Sequence, residues 1–302
     1  MSEPITFDGR VAIVTGAGGG LGETYVLELA RRGARVVVND LGGAVDGTGA
    51  SASAADRVVA TIKEAGGEAV ANYDSVSTPE GGAALVDQAI EAFGGIDIVV
   101  NNAGILRDKS FANMELSEVE AVLDVHLLGA FHVSMPAFKV MKEKGYGRFV
   151  FTSSNSGLFG NFGQANYGAA KAGLAGLSHV LAIEGAKYDI KSNAIAPIAK
   201  TRMTKDLLGP FADMVRPEQV TPMVVYLCSE ANQHTHEIFT AGGGRYARIA
   251  LVTNNGWLAS QDEVPSVEDI ADHLDEIRSL DEFVIPESSN DEIMLLGRLL
   301  AG

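Results

Sequence analysis

The chain has 302 residues, 46% of them hydrophobic, and 35 glycines, which suits a large buried core with many tight turns. Its 23 Lys and Arg against 39 Asp and Glu give a formal charge of −16, a surface that repels nucleic-acid backbones and anionic membranes alike. Cys228 is the single cysteine, so no disulfide can close within the chain, and a reducing, cytoplasmic setting is expected.

Residues 1–10 lack the basic and apolar regions of a signal peptide, and no apolar run reads as long enough to span a bilayer. Residues 11–15 are apolar and β-branched and run into glycines, a buried strand feeding a turn. A helix is expected from Gly22 to Arg32 with Gly33 at its C-cap, then a strand over 35–39 ending at Asp40. The Gly-rich stretch 41–50 reads as a longer surface loop. Helix 53–65, strand 69–73, helix 83–93 and strand 96–100 continue the alternation. A long helix is expected over about 116–144, with Pro136 as its kink or break. Strand 148–153, a Gly-rich loop, a helix over about 165–188 and strand 191–196 follow, and Pro197 stops the last. Strands alternating with helices at this spacing predict βαβ units and one doubly wound, parallel, Rossmann-type α/β sheet. Residues 1–256 read as a dinucleotide-binding and catalytic domain, and 257–302 as an acidic C-terminal extension. The extension places Ile270, Leu274, Ile277 and Leu280 at helical spacing, so a helix packed on the domain is expected, with 279–290 as an extended linker. Trp257 is a candidate anchor for it, and Cys228 reads as a small buried residue.

Thr15-Gly16-Ala17-Gly18-Gly19-Gly20-Leu21-Gly22 joins the first strand to its helix. Glycines let the backbone turn sharply and approach a pyrophosphate, which then lies on the free N–H groups of the helix start. Such turns also occur for steric reasons alone; here the acidic Asp40 at the end of the second strand supplies the missing context. A carboxylate there accepts from both adenosine ribose hydroxyls and repels a 2′-phosphate, which favours NAD over NADP.

Tyr167 and Lys171 are four apart on a predicted helix and so share a face. A free phenol near pKa 10 is a poor acid–base catalyst at neutral pH; a neighbouring ammonium is expected to lower it. Ser154 lies just past a strand end, where its hydroxyl can hold a substrate oxygen at the ligand-binding edge of the sheet.

With these residues placed, the chain resembles the short-chain dehydrogenase/reductase family over residues 7–244. The motifs are the 15–22 turn, Asn101-Asn102-Ala103-Gly104, Ser154, Tyr167-x-x-x-Lys171, and Ala196-Pro197 before Thr201. The resemblance implies that Asp74 and Ser75 flank the adenine and that Asn102 reaches the adenosine ribose. It also implies that Lys171 binds the nicotinamide ribose and that Thr201 contacts the carboxamide side. Cofactor contacts are thus expected at Gly16, Gly20, Leu21, Gly22, Asp40, Asp74, Ser75, Asn102, Gly104, Tyr167, Lys171 and Thr201, with Ser154, Tyr167 and Lys171 catalytic. Asn39-Asp40-Leu41-Gly42-Gly43, Ala71 to Val76, Gly104 to Asp108 and Gly160 to Tyr167 are similar to one subgroup. It comprises the (3R)-hydroxyacyl-CoA dehydrogenase units of peroxisomal multifunctional enzymes of type 2, also described as 17β-hydroxysteroid dehydrogenases, and stand-alone bacterial relatives.

The resemblance implies NAD-dependent oxidation of a secondary alcohol, either a (3R)-hydroxyacyl-CoA or a hydroxysteroid. It also implies a homodimer or homotetramer built through the long helices. An NAD-binding sensor that kept the fold without the activity is the competing class. Two positions depart from the commonest family pattern. His126 stands where many members carry an Asn that holds a relay water, and it reads equally as a hydrogen-bonded helix residue. Pro197-Ile198 replaces Pro-Gly. Substrate contacts are expected in loops 158–162 and 201–215. No acidic residue or Cys stands at metal-ligand spacing from His234 and His236 in the sequence, so no metal is expected.

Overall fold

A computed structural model describes residues 3–204 and 209–301. Residues 205–208, within the expected 201–215 substrate loop, lie outside the described residues. The chain divides into two compact units, 1–248 and 249–302.

The first unit is built on strands β1 (Val11–Thr15), β2 (Arg35–Asn39), β3 (Glu68–Asn72), β4 (Ile98–Asn101), β5 (Gly147–Thr152), β6 (Ile190–Pro197), β7 (Ile238–Gly242) and β8 (Arg245–Ile249). They form one eight-stranded sheet in the order β3-β2-β1-β4-β5-β6-β7-β8. Every pairing from β3 to β7 is parallel. β8 follows β7 through Gly243 and Gly244, a link short enough only for an antiparallel neighbour. All five residues of β1 are buried, and so are all six of β5. Helices cover both faces of a parallel sheet, so its strands are continuous apolar runs with no polar alternation.

Helices α1 (Gly20–Arg31), α2 (Ser53–Glu64), α3 (Pro79–Phe93), α4 (Leu116–Leu123), α5 (Gly129–Lys144), α6 (Asn155–Phe159), α7 (Ala165–Gly185) and α8 (Thr221–Cys228) supply that cover. Val14, Val36, Val38, Ile98 and Val100 pack with Val26 and Leu29 of α1, Val58 and Ile62 of α2 and Val224 of α8. Each such side chain contributes about 1.5–3 kcal/mol when fully buried. α3 packs on α5, and α4 on α7. The helix ends have local causes. Thr78 caps α3 by accepting from Gly81 N–H at 3.1 Å, Pro79 follows at the first helical position, and Gly94 closes the helix at φ 85°. The sheet order reverses between β1 and β4, and a crevice opens there at the carboxyl ends of the strands.

The helix expected over 116–144 is present. It runs through Pro136 without the expected break, and its irregularity is a π-turn at Asp124–Leu128 that carries His126. By length and composition alone Leu116–Lys144 is also long and apolar enough to cross a membrane, which the sequence reading did not single out. Its apolar residues Val122, Ala130, Val133, Ala137 and Met141 are buried inside the unit instead. The Gly-rich loop after β5 contains α6, and β7 and β8 had no sequence signal of their own.

The second unit holds α9 (Val267–Asp272), α10 (Leu274–Arg278) and α11 (Ser289–Ala301). The single helix expected around Ile270 to Leu280 is two short ones, broken at His273, and α11 was not read. Val284, inside the expected linker, forms an isolated antiparallel bridge with Thr253. Trp257 stacks on His273 with ring centroids 3.9 Å apart, a contact within this unit.

Candidate active site

The turn after β1 is held from behind. Thr15 Oγ1 accepts from the N–H groups of Asn102 and Ala103, each at 3.0 Å. Asn102 Nδ2 donates to the carbonyls of Thr15 at 3.0 Å and Gly16 at 3.1 Å. The exits of β1 and β4 are thereby fastened together, and the Asn102 amide group is committed to the turn. Gly16 and Gly20 adopt φ of 64° and 57°, a left-handed conformation that side-chain-bearing residues avoid. A Cβ at Gly22 would overlap the Gly16 carbonyl, so that glycine serves helix-to-strand packing.

α1 starts at Gly20 with Gly19 as its N-cap, and no side chain caps it. Its first N–H groups and the positive end of its dipole therefore remain for an anion. A Cβ at Gly19 would meet nothing within 4 Å, and one at Gly20 only Thr201, at 3.7 Å. The space before the turn is thus open to the crevice, as a pyrophosphate requires. Asp40 Oδ2 accepts from Gly18 N–H and Oδ1 from Gly42 N–H, both at 2.7 Å, so the carboxylate is fixed at the rim of that space.

A cavity of about 300 Å³ occupies the crevice. Gly16, Gly20, Leu21, Asp40, Asp74, Ser75, Asn102, Gly104, Ser154, Tyr167, Lys171 and Thr201 all line it, while Gly22 stays behind the wall. The stretch 41–50 is more than a surface loop: Leu41, Gly43, Ala44, Val45 and Gly47 form part of the wall. It folds on itself through Ala44 N–H to Thr48 O at 2.8 Å, and is tied down by Leu106 N–H to Val45 O at 2.9 Å. Glycine content without periodicity hid this role, because the contacts that fix the loop come from residues near position 105.

Ser154 is the N-cap of α6, its Oγ accepting from Ser156 N–H at 3.2 Å. The same hydroxyl faces the cavity with the phenol of Tyr167 and favours its ionised form. Lys171, one turn along α7, is buried; its Nζ donates to Thr152 O at 2.5 Å and lies 5.5 Å from the centre of the Tyr167 ring. Burial pushes the Lys171 ammonium down to about 7. Burial also pushes the Tyr167 phenol up to about 12, opposed by the Ser154 hydroxyl and assisted by the Asp108 charge. The expected lowering of the phenol is therefore corrected. In the chain alone, desolvation outweighs the ammonium, which lies by the ring and bonds to a carbonyl.

His126 joins the site from the π-turn. Its ring meets that of Tyr167 edge-on, centroids 5.2 Å apart at 88°. Nε2 lies 3.0 Å from Ile105 N and 2.8 Å from Ile105 O, and burial together with the Lys171 charge holds the imidazole neutral at physiological pH. A Cβ at Gly104 would overlap this ring, which accounts for that glycine. Sequence reasoning missed Thr15, Asp108, Gln164 and Asn166. Asn166 Nδ2 donates to Arg107 O at 3.0 Å and to Glu118 O at 3.2 Å, and so anchors the start of α7. The Gly163-Gln164-Ala165-Asn166 run before Tyr167 was the available signal.

An open helix N-terminus and a Ser–Tyr–Lys group with its lysine buried, facing one crevice at the sheet's switch point, define a Rossmann-type oxidoreductase. The family described as short chain dehydrogenase matches residues 10–209, and the chain belongs to it. A short-chain type dehydrogenase/reductase from Mycobacterium tuberculosis is 54% identical over 272 residues, 90% of this chain and 94% of that one. A hydroxyacyl-CoA dehydrogenase from the same organism is 40% identical over 238 residues, 74% of each chain. The structure of full-length peroxisomal multifunctional enzyme type 2 from Drosophila melanogaster superposes with a TM-score of 0.82 at 36% identity. It matches over 98% of this chain and 50% of its own. The chain spans between 29% and 64% of the peroxisomal multifunctional enzymes and peroxisomal hydratase-dehydrogenase-epimerases that it matches.

Proposed function

We propose that this chain uses NAD to oxidise a secondary alcohol to a ketone, and that its substrate is a (3R)-hydroxyacyl-CoA. The observation that carries the reading is that Ser154, Tyr167 and buried Lys171 line the same cavity as the uncapped start of α1. The nicotinamide cofactor, when bound, supplies the hydride acceptor. Gly16, Gly20 and Leu21 would hold its pyrophosphate, and Asp40 its adenosine ribose, where a 2′-phosphate would be repelled. Asp74, Ser75, Asn102, Gly104 and Thr201 complete the wall around it, and Lys171 holds the nicotinamide ribose.

Ser154 holds the alcohol oxygen and Tyr167 takes its proton. The phenol must ionise for this, and burial opposes that, so the site has to gather positive charge around it. Lys171 supplies one such charge. Exposed Phe131 and Met135 on α5 and Val180 and Ile183 on α7 support a homodimer or homotetramer through the long helices. We place the chain in the cytoplasm.

The test is NADH formation with a series of (3R)-hydroxyacyl-CoA esters beside 17β-hydroxysteroids, each repeated with NADP. Turnover of the CoA esters with NAD is expected. Activity on the steroids alone would replace the acyl-CoA assignment, and cofactor binding with no alcohol oxidised would leave the sensor reading. Asp40→Ala is expected to narrow the preference for NAD over NADP by roughly tenfold, through loss of the charge that repels a 2′-phosphate.

A further inference from the structure

A polar chain that the proposed reaction does not use leads into the substrate end of the cavity. Gln164 lies on the cavity wall, 4% exposed, three residues before Tyr167. Its backbone bridges to Lys109 in parallel fashion, and its carbonyl accepts from Gly168 N–H at 2.6 Å in the first turn of α7. The side chain then reaches two ways. Nε2 donates to Asp108 Oδ2 at 2.7 Å, while Oε1 accepts from Ser156 Oγ at 2.8 Å and Asn161 Nδ2 at 2.9 Å. Ser156 N–H donates to Ser154 Oγ at 3.2 Å, and Ser154 faces the cavity with Tyr167. Gln164 and Ser156 thus connect the Asp108 carboxylate to the Ser154 hydroxyl.

We propose that Gln164, backed by Asp108, is a positioning residue that locks the loop after β4 to α6 and thereby aims the Ser154 hydroxyl. The orientation follows from the donor inventory. An ionised carboxylate only accepts, so Gln164 must face Asp108 with Nε2 and Ser156 with Oε1. That turns the Ser156 hydroxyl hydrogen toward Gln164, while Ser156 N–H occupies one lone pair of Ser154 Oγ. The Ser154 hydrogen and its other lone pair are left for Tyr167 and a substrate oxygen. α6 has no fully buried residue; Gly157 brings it close against α7, where a Cβ would overlap Lys171, and polar ties fix the rest of its position.

Asp108 has a second effect through charge. Burial pushes its own carboxyl up against the pull of Gln164, and its charge raises the Tyr167 phenol. The titratable groups that face Tyr167 are Asp108 from the loop after β4, His126 from the π-turn and Lys171 from α7, with the Lys109–Glu118 ion pair adjacent to Asp108. Asp108→Asn keeps an oxygen for Gln164 and removes the charge.

This inference rests on the alcohol-oxidation reading for its kinetics but not for its structure, so the test on the full chain has two parts. Amide hydrogen exchange is compared for the wild type, Gln164→Leu and Asp108→Asn. Gln164→Leu should speed exchange in 154–164 and 105–110 and leave the 15–22 turn unchanged; Asp108→Asn should stay near wild type. With an alcohol that is turned over, Gln164→Leu should lower kcat about tenfold or more, from misplacement of a reacting group. Asp108→Asn should shift the rising limb of kcat against pH downward by about half a unit, since a like charge no longer opposes the phenolate. Unchanged exchange in Gln164→Leu, or an unmoved limb in Asp108→Asn, overturns the proposal. A wild type that oxidises no alcohol sinks the functional reading, and the exchange comparison then decides the lock by itself.

Discussion

β5 has a buried cation at each end, and the two are treated in opposite ways. Arg148, at the start of the strand, is 1% exposed. Its guanidinium donates to the carbonyls of Gly147 at 2.8 Å, Asp189 at 2.7 Å and Ser229 at 3.2 Å. It also stacks on Tyr146, whose ring lies 3.7 Å from Arg10. Beside it Asp97, also buried, accepts from Arg10 Nη1 and Val11 N–H at 2.9 Å and from Lys144 Nζ at 2.5 Å. At the far end, Lys171 is as deeply buried but makes one hydrogen bond, to Thr152 O. A buried charge with its hydrogen bonds filled belongs to the framework; one left under-satisfied beside a cavity marks a site of chemistry.

Removing the satisfied cation should have the larger effect on stability. Arg148→Met removes the charged donor from the carbonyls of Gly147, Asp189 and Ser229, of which Asp189 keeps Gly147 N–H and Ser229 keeps Asn232 N–H, each at 3.3 Å. An expected loss of about 3 kcal/mol would appear in urea unfolding. The cavity side chains do not touch Arg148, so turnover per folded molecule should hold. A loss below about 1 kcal/mol would erase the distinction between the two ends.

Lys171→Met should act in the reverse sense. The ammonium is brought from 10.5 down to about 7 by burial. Between these values the unfolded chain holds the proton and the folded chain has released it, so wild-type stability rises with pH across that window. The variant lacks this rise and should be at least as stable as the wild type at pH 7, while alcohol oxidation is lost. Parallel slopes of unfolding free energy against pH in both chains would contradict the account.

The same contrast explains what the sequence could reveal. The 15–22 turn, Asp40, Ser154, Tyr167 and Lys171 are read from local spacing, because a strand end, a helix start and a helical face are defined within a few residues. Asp108 and Gln164 are 56 positions apart, and their bond exists only after the sheet brings two loops together. The π-turn under His126 is likewise invisible to a period of 3.6 residues. The direction of the Tyr167 shift was misjudged because its spacing from Lys171 is local and its burial is not.

The account stands most directly on Tyr167→Phe, which removes one oxygen and keeps the ring against His126. Turnover of whichever alcohol the wild type oxidises is expected to fall at least roughly 100-fold, the scale of a lost proton-transfer group. NAD affinity, measured by titration of the same protein, should stay within about twofold, a difference of less than 0.5 kcal/mol. Near-normal turnover with intact NAD binding would contradict the assignment of Tyr167 as the group that moves the proton.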